Sequence, residues 1–396
     1  MKQLECDVLI VGSGLNGIIA ASALSLLDLK IIIVDQKKIS PKYITNKLSQ
    51  KDTRTTAIAE GSKNFLNEIF LWKGLSKFAE PIKKIKVIDR KPNKIIDFSN
   101  SEKNKNLGYI IKNQNFTQIV LKELIKRKNV KICDNLKLQS IKYSFNKIIC
   151  GFEKIKISSK LLVAADGKKS TIRSIKNTGY YKKNYKEKAL VVNFEHSKNH
   201  NGCAYEFFLE NGPLAILPMQ KESNFQSSLI WSNKSTFLES LQQIDENLFK
   251  KILEEKIFNQ TGSIKTIKSK QLFPLSAHLN HRFFEKQIVY VGDAAHSIHP
   301  IAGQGWNLGL RDVKKLHKLV NEYLSLGLEL NTLEFCKKYN QECFYDSYRL
   351  FQVTDKLNTL FMINDNVTNS IRGIGFNLIQ NRSLIKNKIT NFAMGL

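Results

Sequence analysis

No stretch of this 396-residue chain runs unbroken through the roughly 18–20 apolar residues that a membrane-spanning helix needs, although 42% of its residues are hydrophobic. The expectation is a protein folded in water, or lying on a bilayer rather than through it. Cysteine is sparse and unpatterned: Cys6, Cys133, Cys150, Cys203, Cys336 and Cys343 form no CxxC pair and no regular spacing. That argues against a disulfide framework and for reduced thiols in a cytosol. Acidic residues are few beside the bases, 35 Asp and Glu against 62 Lys and Arg, giving a net charge of +27 that would attract polyanions or anionic lipid. No RNA-binding or helix-turn-helix pattern accompanies the excess, and lysine is spread through the chain beside Ile and Asn, so no nucleic-acid partner is expected. Glu5 and Asp7 stand in the opening residues, which run straight into a strand and a glycine motif, so no signal or transit peptide is expected.

What is present reads as two interlocked domains, since the length exceeds the roughly 100–200 residues typical of one. Residues 6–11 form an apolar strand, 15–28 an apolar helix and 30–35 a second strand, a βαβ opening to a doubly wound sheet. Two further apolar runs, 161–166 and 287–293, each end on an acid beside glycine, as strands of a parallel sheet do at a ligand crevice. Between them, 180–275 alternates apolar and polar residues, with a turn at Asn211-Gly212-Pro213, and reads as antiparallel strands. After Asp312 the pattern is helical to the end, with loops expected at Gly327 and around Gly373 to Gly375. No internal repeat interrupts it.

Gly12-Ser13-Gly14-Leu15-Asn16-Gly17 joins the first strand to the first helix. Gly12 permits the tight turn, Gly14 lets the backbone approach a pyrophosphate at the helix N-terminus, and Gly17 admits close packing. Asp35 ends the second strand at the distance expected of the acid that binds the adenosine ribose hydroxyls. This much fits NAD and FAD alike. The later segment Val291-Gly292-Asp293-Ala294-Ala295-His296, followed by His299-Pro300-Ile301-Ala302-Gly303-Gln304-Gly305-Trp306-Asn307-Leu308-Gly309, separates them. It resembles the GD motif of the class A flavoprotein monooxygenases, in the form typical of the FAD-dependent ubiquinone-biosynthesis hydroxylases. Glycines 303 and 305 would let backbone N–H groups approach a ring, and the helix starting near Trp306 would aim its positive end at the reduced, anionic flavin.

Two more elements carry the resemblance. Asp166-Gly167-Lys168-Lys169-Ser170-Thr171-Ile172-Arg173 is similar to the family's DGxxSxxR signature, and Asp52-Thr53-Arg54 to its DxR element. Thr354-Asp355-Lys356-Leu357, Phe361, Arg372, Gly375, Lys386 and Ala393-Met394-Gly395 follow the ending common among these hydroxylases. One departure is NQECFYDSYR after Tyr339, where the family often has a basic run. The resemblance implies an α/β fold like that of p-hydroxybenzoate hydroxylase: an FAD-binding, Rossmann-like doubly wound domain, an interleaved antiparallel β-sheet substrate domain and C-terminal helices. The FAD-binding domain is expected in three pieces, 1–75, 101–178 and 276–325, the substrate domain in two, 76–100 and 179–275, and the helical region at 326–396.

The cofactor-binding set that follows is Gly12, Gly14, Gly17, Asp35, Arg54, Asp166, Gly167, Gly292, Asp293, Pro300, Ala302, Gly303, Gln304, Gly305 and Asn307, with Asp293 holding the ribityl chain. Arg54, Pro300 and Gly303 are the candidates to frame the pocket, and no catalytic residue is assigned. No metal is expected, because His296 and His299 lack a completing Cys or carboxylate set other than Asp293, and they are expected to pack beside the flavin instead. The family's chemistry is ring hydroxylation of a polyprenylated phenol or benzoquinol through a flavin C4a-hydroperoxide, using O2 with NAD(P)H as reductant. It implies a cytoplasmic protein, peripheral on the inner face of the membrane, in contact with other ubiquinone-biosynthesis proteins. After Asp365 the chain has Arg372, Arg382, Lys386 and Lys388, no acid, and many apolar residues, which suits either an interfacial amphipathic segment or a capping helix. Two other functions stand beside the first: an FAD hydroxylase of a soluble small phenol, and a flavin-holding member of a biosynthetic complex without turnover. A halogenase is disfavoured, since no WxWxIP segment occurs.

Overall fold

The computed structural model describes residues 2–39, 52–90, 95–99, 106–219, 225–363 and 365–395. The chain opens with β1 (Lys2–Val11), α1 (Leu15–Leu24) and β2 (Ile31–Val34). A third strand, β3 (Thr55–Ala59), runs into α2 (Glu60–Glu68), and β4 (Lys84–Asp89) follows. The long β5 (Ile155–Ala164) leads to the short α3 (Thr171–Ile175). Next come β6 (Tyr180–His196), β7 (Cys203–Leu209), β8 (Gly212–Met219) and β9 (Gln226–Lys234). Helices α4 (Ser235–Gln243) and α5 (Glu246–Lys256) precede β10 (Ile264–Asn280). The chain finishes with β11 (Ile288–Tyr290), α6 (Gln304–Ser325), α7 (Leu333–Met362), α8 (Asn366–Asn381) and α9 (Ser383–Met394).

Two large sheets result. In the first, β11, β5, β1 and β2 lie side by side and parallel, extended by Val130–Cys133 beyond β2. Val8 to Val11 and Ile31 to Val34 are buried, as strands covered on both faces by helices must be, which is why they read as unbroken apolar runs. In the second sheet the order is β10, β6, β9, β8, β7, β4, with the last pair parallel and the rest antiparallel. One face of it packs Leu190, Phe194, Phe207 and Trp231 against Leu238, Phe249 and Leu253 of α4 and α5. Its other face turns toward the parallel sheet and the C-terminal helices. The fold is thus the α/β arrangement expected, with a doubly wound sheet, an interleaved antiparallel one and helices at the end.

Three local expectations are corrected. Residues 180–275 are not strands throughout, because Leu238, Leu241, Phe249 and Leu253 recur at helical spacing and form α4 and α5, which cover one face of the sheet. The first helix ends at Leu24 rather than at residue 28, because the Asn129 side chain donates to the carbonyls of Ser25 and Leu29, each at 3.0 Å, and fixes a turn there. Gly373 to Gly375 are no loop either: α8 passes through them. Each glycine costs a helix interior about 1 kcal/mol against alanine. The Asp365 cap, accepting the Thr368 N–H at 2.8 Å, and the buried Arg372 and Phe376 offset that cost. Gly327, by contrast, does end α6, with φ +67.

Candidate active site

The parallel strands deliver the glycine motifs to one edge. Gly12 has φ +108, and a Cβ there would fall 2.2 Å from the Ala165 carbonyl oxygen. A Cβ on Gly17 would fall 1.9 Å from the carbonyl oxygen of Gly12. Gly14 differs, because nothing in the described protein lies within 4 Å of a Cβ added to it. The helix it opens has no side-chain cap and no acid in its first turn, leaving backbone N–H groups and a positive dipole end for a phosphate. Asp35 faces the same turn. Its Oδ2 accepts the N–H and the hydroxyl of Ser13, both at 2.7 Å, and its Oδ1 accepts the Lys37 N–H at 2.8 Å. A carboxylate has about four acceptor sites, so one remains for a ribose hydroxyl.

At the next strand end, Asp166 Oδ2 accepts the Ile172 N–H at 3.1 Å and so caps the first turn of α3, while Oδ1 is buried without a partner among the described residues. Burial raises the pKa of this carboxyl against the pull of its hydrogen bonds from Ser170 and Ile172. Gly167 follows at φ +80, with open space beside it. Arg173, whose side chain lies over the Tyr180 ring at 4.7 Å, donates to the Ala294 carbonyl at 3.1 Å and ties this segment to the third strand end. His278 lies against Arg173 at 3.1 Å, and burial first, then that guanidinium, push its pKa down to about 3.

At the third strand end Gly292 has φ +56, and a Cβ would meet Asn16 Nδ2 at 2.0 Å. A Cβ on Gly309 would meet the same nitrogen at 2.3 Å. Asn16, an unremarked position of the first glycine motif, therefore wedges between the two glycines and locks α1 to α6. Asp312 Oδ2 accepts the Gly292 N–H at 3.0 Å and pairs with His296 Nε2 at 2.6 Å, fixing the turn from beneath. The Asp293 side chain is left open to the cleft. It sits deep enough that desolvation raises its pKa, with His296, Lys168 and Arg54 drawing it back. Arg54 is clamped by Asp52 at 2.7 and 2.8 Å and lies over the Phe273 ring at 5.3 Å, so the DxR element sits between Asp293 and the antiparallel sheet.

In the loop before α6, Pro300 leads a single 3-10 turn, and Gly303 takes φ +61 as the N-cap of that helix. A Cβ on Gly305 would meet only Ile298, at 3.9 Å, so the packing itself does not demand glycine there. The side chain of Ala302 lies outside the described residues. Two positions in the expected cofactor set have their side chains engaged elsewhere. Asn307 donates to the carbonyls of Ala57 and Gly303 and accepts from Ala59 N and Ser62 Oγ, all between 2.8 and 3.2 Å. All four hydrogen-bonding places of its amide are filled, so it braces the loop against β3 and α2. Gln304 donates to the Ala393 carbonyl at 3.0 Å, binding the loop to the end of the chain. His299 pairs with Glu187 at 3.4 Å while His296 pairs with Asp312, so the two histidines serve separate buried contacts.

The open space beside Gly14, the uncapped α1 N-terminus, the spare acceptor of Asp35 and the open carboxyl of Asp293 together fit a dinucleotide carrying a sugar-alcohol chain. Comparison with known proteins agrees. The family model described as FAD binding domain matches residues 5–327. The ubiquinone hydroxylase UbiL of Rhodospirillum rubrum is 28% identical over 390 residues, covering 98% of this chain and 89% of that protein. The ubiquinone hydroxylase UbiM of Neisseria meningitidis is 24% identical, covering 99% and 85%. Among solved structures, p-nitrophenol 4-monooxygenase PnpA of Pseudomonas putida superposes with a TM-score of 0.78 at 16% identity, covering 100% of this chain and 98% of that one, a likeness of fold. With motifs, fold and family in agreement, the chain belongs to the FAD binding domain family and is an FAD-dependent aromatic monooxygenase related to the ubiquinone hydroxylases.

Proposed function

We propose that this chain hydroxylates the aromatic ring of a polyprenylated phenol or benzoquinol intermediate of ubiquinone biosynthesis, with NAD(P)H as the reductant. The balance is ring C–H plus O2, NAD(P)H and a proton giving ring C–OH, water and NAD(P)+. Bound FAD supplies the electron transfer and the oxygen activation. The chain's own tasks are to hold that cofactor through the three strand ends, to keep water out, and to set the ring against the 300–303 loop.

The observation behind the substrate class is the apolar wall facing that loop. Phe208 of β7 stacks on Phe361 of α7 with centroids 3.5 Å apart, and both pack with Ile301 of the loop and Phe376 of α8. An apolar wall of this kind suits a ring carrying a hydrocarbon tail. The same character continues outward. Helix α8 exposes Val367, Ile371, Ile374 and Leu378 along one stripe, and α9 exposes Leu384, Ile385, Ile389 and Phe392 along another. Arg382 and Lys388 are exposed beside them, and no acid follows Asp365. This pairing of apolar stripes with positive charge favours an anionic bilayer surface, from which a lipid-dissolved substrate would enter. No described helix is long and apolar enough to cross a membrane, so the contact is peripheral, on the inner face of the cytoplasmic membrane.

Expression in strains each lacking one ubiquinone hydroxylase, with lipid extracts read by mass spectrometry, tests the reading. Restored quinone with loss of the blocked precursor is the expected result and identifies the carbon attacked. If yellow, FAD-loaded protein accumulates and every strain stays blocked, the reading fails in favour of a soluble phenol substrate or a non-catalytic role.

A further inference from the structure

The antiparallel sheet carries one carboxyl for which the cofactor site has no use. On β7, Tyr205 and Phe207 pack on the α4–α5 side. Ala204 and Phe208 belong to the opposite face, where Ala204 meets Met394 and Ile110, and Phe208 meets Ile301 and Phe361. Glu206 stands between them and by strand alternation shares their face. Register across the sheet agrees. Glu206 is opposite Ala215, which is opposite Ile230, which is opposite Val191, and residues directly opposite project to the same side. Asn193, two positions along from Val191, donates to the Thr53 carbonyl at 2.7 Å, in the same segment as Arg54. The face that bears Glu206 is therefore the one turned to the flavin loop and the DxR element.

Its neighbours along the row, Ala215 and Val87, are apolar. Among the described residues the Glu206 carboxyl has no hydrogen-bond or ion-pair partner, and burial alone pushes its pKa up to about 8. The residue is half-buried, so its carboxyl reaches open space on that face, and a ring that displaced its remaining water would leave it in need of a partner. A phenol O–H would supply that partner.

We propose that Glu206 positions the substrate, its carboxyl oxygen accepting the O–H of the phenol ring from the sheet side while the ring lies against the 300–303 loop. This rests on the reading above that the substrate is a phenol. The single polar contact orients a ring that the apolar wall would otherwise hold in any rotation, so it sets which ring carbon meets the flavin. Proteins with FAD bound provide the test, using 4-prenylphenol and its methyl ether as probes and the change in flavin absorbance as the readout, with no turnover required. The native protein should prefer the phenol by roughly fivefold to tenfold, the value of one hydrogen bond. Glu206→Gln, which still offers an acceptor oxygen, should keep that preference. Glu206→Leu should lose it while retaining FAD and thermal stability. Equal binding of the two probes by the native protein, or an undiminished preference in Glu206→Leu, overturns the proposal. Failure to restore quinone in any strain, with the Glu206-dependent preference intact, would instead overturn the pathway reading and leave Glu206 as a phenol contact.

Discussion

Substituting Asp89 by asparagine should loosen the C-terminal helices without releasing the flavin. Asp89, the last residue of β4, accepts from Arg372 Nε of α8 at 3.3 Å, and the two side chains are 2% and 1% exposed. Removing one charge from a buried pair costs about 3–5 kcal/mol, because the other is left without compensation. Arg372 keeps the carbonyls of Leu360 and Ile363, at 3.2 and 2.7 Å, and the Asn369 side chain. That retention places the cost near the lower end, about 3 kcal/mol, which is on the order of a 100-fold rise in the opened population. Trypsin reads it, since Arg382 and Lys388 lie downstream of the pair, and cleavage follows the opened fraction when reclosing is fast. None of the residues expected to hold the cofactor lies on α8 or α9, so bound FAD should stay constant. Replacing the pair together, Asp89→Leu with Arg372→Met, should restore resistance. Native-like cleavage of Asp89→Asn, or loss of flavin in step with cleavage, would refute the reasoning.

Three further expectations follow from the site. Gly14→Val should give a folded protein without FAD, because its side chain meets no protein atom yet fills the phosphate space; normal flavin absorbance in the purified variant would place the pyrophosphate elsewhere. Asp293→Ala should weaken FAD binding about 10- to 100-fold, the worth of a charge-assisted hydrogen bond of about 1.5–3 kcal/mol, measured by flavin release on dilution; unchanged retention would remove Asp293 from the site. Glu206 sets a pH dependence. Its folded pKa of about 8 lies above the ordinary 4.5, so the native state holds a proton that the unfolded chain releases between those values. The contribution is complete below pH 4.5 and lost as pH rises to 8. Thermal unfolding of Glu206→Gln should lack that decline, and parallel pH curves for the two proteins would contradict the burial inferred for the carboxyl.

Much of this was legible in the chain. The βαβ opening announced itself because Val8 to Val11 and Ile31 to Val34 are buried on both sides and carry no polar interruption. The acids at strand ends were visible because a parallel sheet places its ligand there. What escaped depends on neighbours distant in sequence. Asn16 could not be seen as the wedge between Gly292 and Gly309, since only the approach of α6 to α1 creates that slot. The bracing role of the Asn307 side chain escaped because its four partners are brought to it only by the fold. Glu206 sits in a strand whose two faces are both largely apolar, so alternation could not say which one meets the flavin. Gly373 and Gly375 misled for a related reason: the buried carboxylate that pairs with Arg372, Asp89, lies on a strand nearly 300 residues earlier.

The position of β1 also imposes an order of events during synthesis. Its partners are β2, which emerges at once, and β5, more than 140 residues later, while the glycines that receive Asn16 arrive later still. At about 5–20 residues per second, on the order of 15–60 seconds separate the first glycine motif from the turn that completes its pocket. For about the first half of that interval, until β5 is made, one apolar edge of β1 lacks its strand, the exposure that makes a nascent chain a client for chaperones and a hazard for aggregation. Cofactor capture is correspondingly a late step, available only after α6 has left the ribosome and closed over α1.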